Sequence, residues 1–308
     1  MTTDRHFPPL SPGQRKLLLL FAVFPRLMIR QATRLLYDAS SYAFVAAKLR
    51  ELYTLGYLLY RTRNGTTYRS DPFVYAPTRL GKHWLAAQGA AYFRAHGDAD
   101  DRVKEALPLG HSLAITDVLG TAVCASTADP GIAIEEVRHD EHLRRDLAGR
   151  LPVSPDAFVR LRVDGNPVAF FLEVDRSGGE GKAVWHTKLA GYLAGGGMPY
   201  VREFTLDSLD IVVVVNLPPV GKTQRSARSD ELSNEARSRE TTARDRRRMR
   251  RLLLWTEQYL DAHGLRAYAD CFSFTAARPE GLTGEAAVAF FTDHHWHAPF
   301  GERPHAFF

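Results

Sequence analysis

Leu151-Pro152-Val153-Ser154-Pro155-Asp156-Ala157-Phe158-Val159-Arg160-Leu161-Arg162-Val163, then Asp164-Gly165-Asn166, then Pro167-Val168-Ala169-Phe170-Phe171-Leu172-Glu173-Val174-Asp175, is the stretch that decides the fold. Apolar residues at Phe158, Leu161 and Val163 predict a strand over Ala157–Val163, and Asp164-Gly165-Asn166 a turn. Residues 167–174 form a nearly continuous apolar run, as a central strand covered on both faces requires. Downstream, Trp185, Leu189 and Tyr192 predict a crossover helix, and the five residues Ile211–Val215 the next buried strand. Upstream, 109–126 reads as a helix and 132–138, with Glu135 and Glu136, as a further strand. Strand, hairpin, helix and strand make an α/β pattern with a mixed sheet.

The same stretch puts acids at strand ends. Asp156 heads one strand, Glu173 and Asp175 end its neighbour, and Lys188 follows on the helix. Carboxylates gathered at neighbouring strand ends can hold Mg²⁺ against a phosphodiester, and a lysine beside them can steady the attacking water or the developing charge.

The N-terminal region has a different period. Ser11-Pro12-Gly13-Gln14 opens a helix with a capping serine, a proline at the first helical position and a glutamine three residues on. Residues 28–37 predict a second short helix. A third follows Ser40, with Tyr42, Val45, Leu49 and Leu52 inward and Ser41, Phe44, Lys48 and Glu51 outward. Residues 57–63 and 66–75 then read as two extended segments joined at Asn64-Gly65, a primed-turn signal, with Arg61, Arg63 and Arg69 along them. Thr78 caps a closing helix. Three short helices and a basic hairpin are the arrangement of a winged helix, whose third helix enters the major groove.

Charge divides the chain in the same way. Residues 1–83 hold 13 Lys/Arg against 4 Asp/Glu, 84–221 hold 13 against 19, 222–251 hold 11 against 5, and the remainder 3 against 7. Basic blocks are what a phosphate backbone selects. In the second block the arginines Arg244, Arg246, Arg247, Arg248, Arg250 and Arg251 read as the charged start of a long helix, where they oppose its dipole, and 223–242 as linker. Arg246, Arg247 and Arg250 are its candidate DNA contacts. The small, acidic residues 95–101 mark a linker over 96–106, which divides a winged-helix domain at 1–95 from an α/β domain at 107–308 with the arginine-rich insertion at 222–251. Cys124 and Cys271 are too few for a disulfide framework. No membrane span and no signal peptide are expected, which predicts a cytoplasmic protein. The P-loop-like Asn216-Leu217-Pro218-Pro219-Val220-Gly221-Lys222-Thr223 lacks its first glycine, and Asp293-His294-His295-Trp296-His297 reads as a surface tail.

Together the N-terminal winged helix, Leu109-Gly110-His111-Ser112-Leu113-Ala114, Pro155-Asp156-Ala157-Phe158, Phe171-Leu172-Glu173-Val174-Asp175-Arg176 and Lys188-Leu189-Ala190-Gly191-Tyr192 resemble the replication-relaxation family of plasmid and mobile-element proteins over roughly 10–220. The order Pro-Asp, turn, apolar strand, Glu-x-Asp, helix is similar to the core of the PD-(D/E)xK nuclease superfamily. That resemblance makes Asp156 and Glu173 metal ligands for Mg²⁺, with Glu136 a further acid. Where the pattern asks for a lysine two residues after the second acid, this chain has Asp175, so Lys188, or as second choice Lys182, would supply the ammonium. The resemblance implies a binder of double-stranded DNA in replication or relaxation that acts with replication or transfer proteins, as a homodimer, and nicks DNA with Mg²⁺. The alternative is a transcriptional regulator whose nuclease-like domain is a non-catalytic dimerisation or protein-binding scaffold.

Overall fold

A computed structural model of the chain describes residues 7–62, 73–90, 109–176, 180–217 and 231–308. By contact the chain divides into two units, Met1–Gly120 and Thr121–Phe308.

In the first unit, helix α1 (Pro12–Leu20) starts on the expected box. The Ser11 hydroxyl accepts from Gln14 N–H, and the Gln14 side chain accepts from Ser11 N–H at 2.7 Å. Strand β1 (Leu27–Met28), helix α2 (Ile29–Leu36), helix α3 (Tyr42–Thr54), strands β2 (Leu58–Thr62) and β3 (Phe73–Pro77), and helix α4 (Arg79–Ala87) follow. The sheet order is β1-β3-β2, all antiparallel. β1 escaped the sequence reading because two residues offer no alternation to detect. Thr62 pairs with Phe73, so residues 63–72 join the hairpin strands. The expected Asn64-Gly65 turn, Arg63 and Arg69 lie outside the described residues, as does the expected linker at 96–106.

The unit boundary falls inside helix α5 (Leu109–Ala128), where the sequence reading opened the second domain at 107. The early turns of α5 belong to the first unit for a polar reason. Gln31 Nε2 donates to Leu113 O and to Asp117 Oδ1, each at 3.0 Å, and Arg34 Nη2 donates to Asp117 O at 2.7 Å. A buried carboxylate such as Asp117 is tolerated only with partners of this kind. By length and hydropathy α5 is the one described helix that could cross a membrane, but 72% of its most apolar window is buried within the protein.

The second unit is a mixed five-stranded sheet, β4 (Ile132–His139), β5 (Ala157–Val163), β6 (Asn166–Asp175), β7 (Ile211–Val215) and β8 (Phe272–Thr275), in that spatial order. β4, β5 and β6 run antiparallel, and β6, β7 and β8 parallel. The β5–β6 turn places Asp164 at φ 49° and Gly165 at φ 84°, the left-handed pair that a tight hairpin needs. One sheet face presents Phe158, Phe171, Val213 and Phe274 to helices α7 (Lys182–Tyr192), α8 (Met198–Phe204) and α9 (Glu231–Ala262), burying Trp185, Leu189, Tyr200, Phe204 and Leu252. On the opposite face Phe170 meets Phe307, which also touches Phe291 of helix α10 (Gly284–Thr292).

Two sequence expectations fail here. Residues 293–297 are no surface tail: Trp296 is fully buried, donates to Phe290 O at 3.1 Å, and lies in a strand-like bridge to His305. Its aromatic surface is worth more buried than any local pattern of histidines suggests. The arginine-rich segment does not start a helix, because α9 already begins at Glu231. Arg244 to Arg251 are therefore mid-helix, beyond the reach of the terminal dipole, and of the expected linker 223–242 only 231–242 is described and is helical.

At the β4 corner, helix α6 (Asp140–Asp146) carries His142, buried beside His139 and Asp140. Burial, with the nearby His139 adding to it, holds the His142 pKa down to about 3 against an ordinary 6.5. The unfolded chain takes up this proton and the folded one does not. Stability is thus complete above the unfolded pKa and is lost as pH falls below it, at about 1.4 kcal/mol per pH unit. Between pH 7 and 5 a loss of about 2 kcal/mol is expected, and His142→Phe should flatten it; urea midpoints at the two pH values measure both.

Candidate functional site

The first requirement of the site is the loop that delivers Asp156. Its backbone is held at Val153, whose N–H donates to the Tyr200 hydroxyl at 3.0 Å while that hydroxyl donates to Val153 O at 2.9 Å. On the other side Gly191 of α7 makes room: a Cβ there would lie 2.2 Å from Val153 Cγ2. A close approach of this kind is what glycine allows.

Asp156 sits one step beyond the Ala157–Leu172 pair, so it lies beside Glu173 at the carboxyl end of β6. Its backbone N–H donates to Leu172 O at 2.9 Å, and its Oδ2 accepts from Val174 N–H at 2.8 Å. Glu173, only 3% exposed, faces α7. There Lys188 Nζ donates to Glu173 Oε2 at 2.9 Å, and the Tyr192 hydroxyl donates to Oε1. The i, i+4 spacing of Lys188 and Tyr192 on one helical face brings both onto the same carboxylate. Glu180 adds a third acid, with Oε2 at 3.7 Å from Lys188 Nζ.

The electrostatics follow from crowding. Burial raises the Glu173 pKa, Lys188 opposes that rise, and the Asp156 charge adds to it. Burial also works against the Lys188 charge, but Glu173, Asp156 and Glu180 together hold its pKa above the ordinary value. Lys188 is therefore a firm ammonium. Burial and the Glu173 carboxylate likewise keep Tyr192 a neutral phenol.

The remaining predicted residues are placed elsewhere. Asp175 turns to α9, where Arg248 Nε donates to its Oδ2 at 2.5 Å and Arg248 Nη1 to Glu180 O at 3.0 Å. Glu136 lies on β4 opposite Arg160 and is ion-paired with Arg138, four β5 residues from Asp156. Lys182 is exposed at the start of α7. Arg246, Arg247 and Arg250 are exposed on α9.

In the first unit, of the side of α3 expected to face outward, Phe44 is exposed while Ser41, Lys48 and Glu51 are half-buried. Lys48 is ion-paired with Glu51 at 2.7 Å, Glu51 accepts from Gln14 Nε2 of α1 at 2.9 Å, and Phe44 packs edge-on against Tyr37. Ser41 stays beside Asp38. The side opposite Val45, Leu49 and Leu52 presents Ala43, Ala47, Arg50 and Thr54, all exposed. Arg50 makes no ion pair among the described residues. The buried stripe alone could have pointed to these four, since residues about 180° from it on a helix must face outward. Arg61 lies on β2 opposite Val74, its side chain outside the described set.

Compared with protein-family models, with curated proteins and with solved structures, the chain matches none.

Proposed function

We propose that this chain binds duplex DNA through a winged helix in its first unit and hydrolyses a phosphodiester at a PD-(D/E)xK-like site in its second, in replication or relaxation of a mobile element. The observation that carries the reading is the meeting of Asp156, Glu173 and Lys188 at the ends of β5 and β6 and on the face of α7. The residues fit Mg²⁺. Asp156, Glu173 and Glu180 all act on one ammonium, Lys188, so acids outnumber the nearby cation. Among the described residues no group of three His, Cys, Asp or Glu surrounds one point, and Mg²⁺ habitually takes one or two carboxylates with water and substrate phosphate.

Bound by Asp156 and Glu173, Mg²⁺ would polarise the phosphoryl oxygen and offset its developing charge. The protein's own groups then have distinct parts. Val174 N–H fixes one oxygen of Asp156, and Tyr192 fixes one of Glu173. Lys188, held protonated, donates to and stabilises the transition-state oxyanion; it is no general base.

A second reading, a regulator with a non-catalytic second unit, draws on a specific observation: Glu173 is nearly fully buried with both oxygens already bonded. Two measurements decide. The wild-type protein should shift duplex DNA and, with Mg²⁺ but not with chelator, convert supercoiled plasmid to the open circle. Arg50→Ala should weaken duplex binding by about 1–3 kcal/mol, the cost of a lost base-edge or phosphate contact by a groove-facing arginine. Binding without cleavage on any substrate selects the regulator, and no binding rejects both readings.

A further inference from the structure

The basic segment of α9 is fastened to the candidate site by a buried arginine, and that anchor orients its neighbours. Arg248 is 3% exposed and reaches Asp175 at the carboxyl end of β6 and Glu180 O at the entrance to α7. Three residues back, Asp245 is buried and accepts from Arg278 Nη2 at 2.6 Å, and Arg278 also donates to Leu217 O beyond β7. The turns of α9 from Asp245 to Arg248 thus lie over the same end of the sheet as Asp156 and Glu173. Open α/β sheets bind ligands at this end.

Successive residues of an α-helix turn by about 100°. Taking Arg248 as the direction of the site and Asp245 as that of β8, Arg247 and Arg251 fall on the side of Arg248 away from Asp245, in the row that continues to Trp255. Trp255 lies under the Arg248 guanidinium at 5.3 Å, and its carbonyl meets His186 of α7 at 3.0 Å. Arg246 and Arg250 fall on the opposite side. In keeping with this, Arg250 is near enough to His297, which is bridged to Phe274 of β8, for its charge to oppose protonation there. Both pairs are exposed, and the helical turn directs only Arg247 and Arg251 to the side of Trp255 and α7.

We infer that Arg247 and Arg251 are the phosphate-gripping residues of the second unit, holding the nucleic-acid backbone against the mouth formed by Glu180 and Lys188, and that Arg246 and Arg250 take no part. The inference rests on the DNA-cleaving reading above and adds to it the identity and side of the backbone contact. Two arginines four residues apart have Cβ atoms about 6 Å from each other on one helix face, so their side chains can reach successive phosphates along a strand, and arginine grips phosphate bidentately. Arg248 itself is excluded, because it is buried, with Nε on Asp175 and Nη1 on Glu180 O.

The test compares two double variants of the full chain, Arg247→Gln/Arg251→Gln and Arg246→Gln/Arg250→Gln, both exposed and both removing two charges. Affinity for a short DNA duplex is measured without divalent metal over about 50 to 200 mM salt, the range in which released counterions dominate. The first pair should lose about tenfold in affinity at the low end and reduce the slope of log affinity against log salt by about 1.8, two contacts at about 0.9 each. The second pair should leave both unchanged. Equal losses in the two pairs, a loss confined to the second, or no loss in either overturns the inference. Because the readout needs no cleavage, a wild-type protein that binds but never nicks removes the cleavage reading and still decides which arginines hold the backbone. A wild-type protein that does not bind removes both.

Discussion

Replacing Glu173 by Gln should lower Mg²⁺-dependent nicking of supercoiled DNA by about 10³-fold, the equivalent of roughly 4 kcal/mol of transition-state stabilisation. The amide keeps the shape of the carboxylate and one oxygen to accept from Lys188 or Tyr192, so the site is not emptied, but the charge that would hold the metal is gone. Glu173→Ala is the poorer experiment. It would remove the acceptor of the buried Tyr192 hydroxyl and of the half-buried Lys188 ammonium together, and a buried polar group left unsatisfied costs about 1–3 kcal/mol by itself. A loss of activity would then be inseparable from a loss of structure. Asp156→Asn should match Glu173→Gln in the nicking assay while leaving the unfolding midpoint within about 1 kcal/mol of wild type, because Asn can still accept from Val174 N–H. If both variants nick as wild type does, Asp156 and Glu173 hold no catalytic metal. Should the wild type bind DNA and never cleave, the site is a fixed buried network that braces α7 against β6.

The largest stability effect is expected at Arg248. Its ion pair with Asp175 has side-chain exposures of 3% and 7%, and removing one member of such a pair costs about 3–5 kcal/mol because the other charge stays buried without compensation. Arg248→Met should lower the melting temperature of the second unit by about 10 °C, at roughly 2–4 °C per kcal/mol for a unit of this size. Adding Asp175→Leu should recover most of that, since replacing both members of a buried pair by apolar residues is often neutral or better. If Arg248→Met instead left stability intact and changed only metal dependence, Asp175 would be a metal ligand and its pairing with Arg248 incidental. At Asp175, where the resemblance asked for a lysine, the side chain instead anchors α9 through Arg248.

Much of this was readable along the chain, and the reasons differ from element to element. β5, β7 and the start of α1 were bounded to the residue or nearly so, because their signals are local: a period-two or continuous apolar run, and a cap written in four successive residues. The candidate acids were readable because strand ends are readable. Other features were not. On the outward face of α3 Phe44 is exposed as expected, but Lys48 and Glu51 are half-buried, because they pair with each other and Glu51 accepts from Gln14 on α1, a residue whose approach no periodicity within α3 reveals. Glu136 entered only as a further acid beside Asp156 and Glu173, and its register with Arg160 sets it apart from them.

The sequence by itself determined the alternation of helices and strands, the order of strand, hairpin, crossover and strand, the two basic blocks, and the set of acids at strand ends, because each is a property of neighbours in the chain. Only the tertiary structure decided that Lys188, not Lys182, meets Glu173, that Tyr192 caps the same carboxylate, and that Asp175 belongs to Arg248. Those decisions depend on how α7 and α9 lie on the sheet. That arrangement is set by burial of Trp185, Leu189, Tyr192 and Leu252 against Phe158, Phe171 and Val213, contacts between residues distant in sequence, and the hydrophobic effect that drives them carries no mark in any single segment.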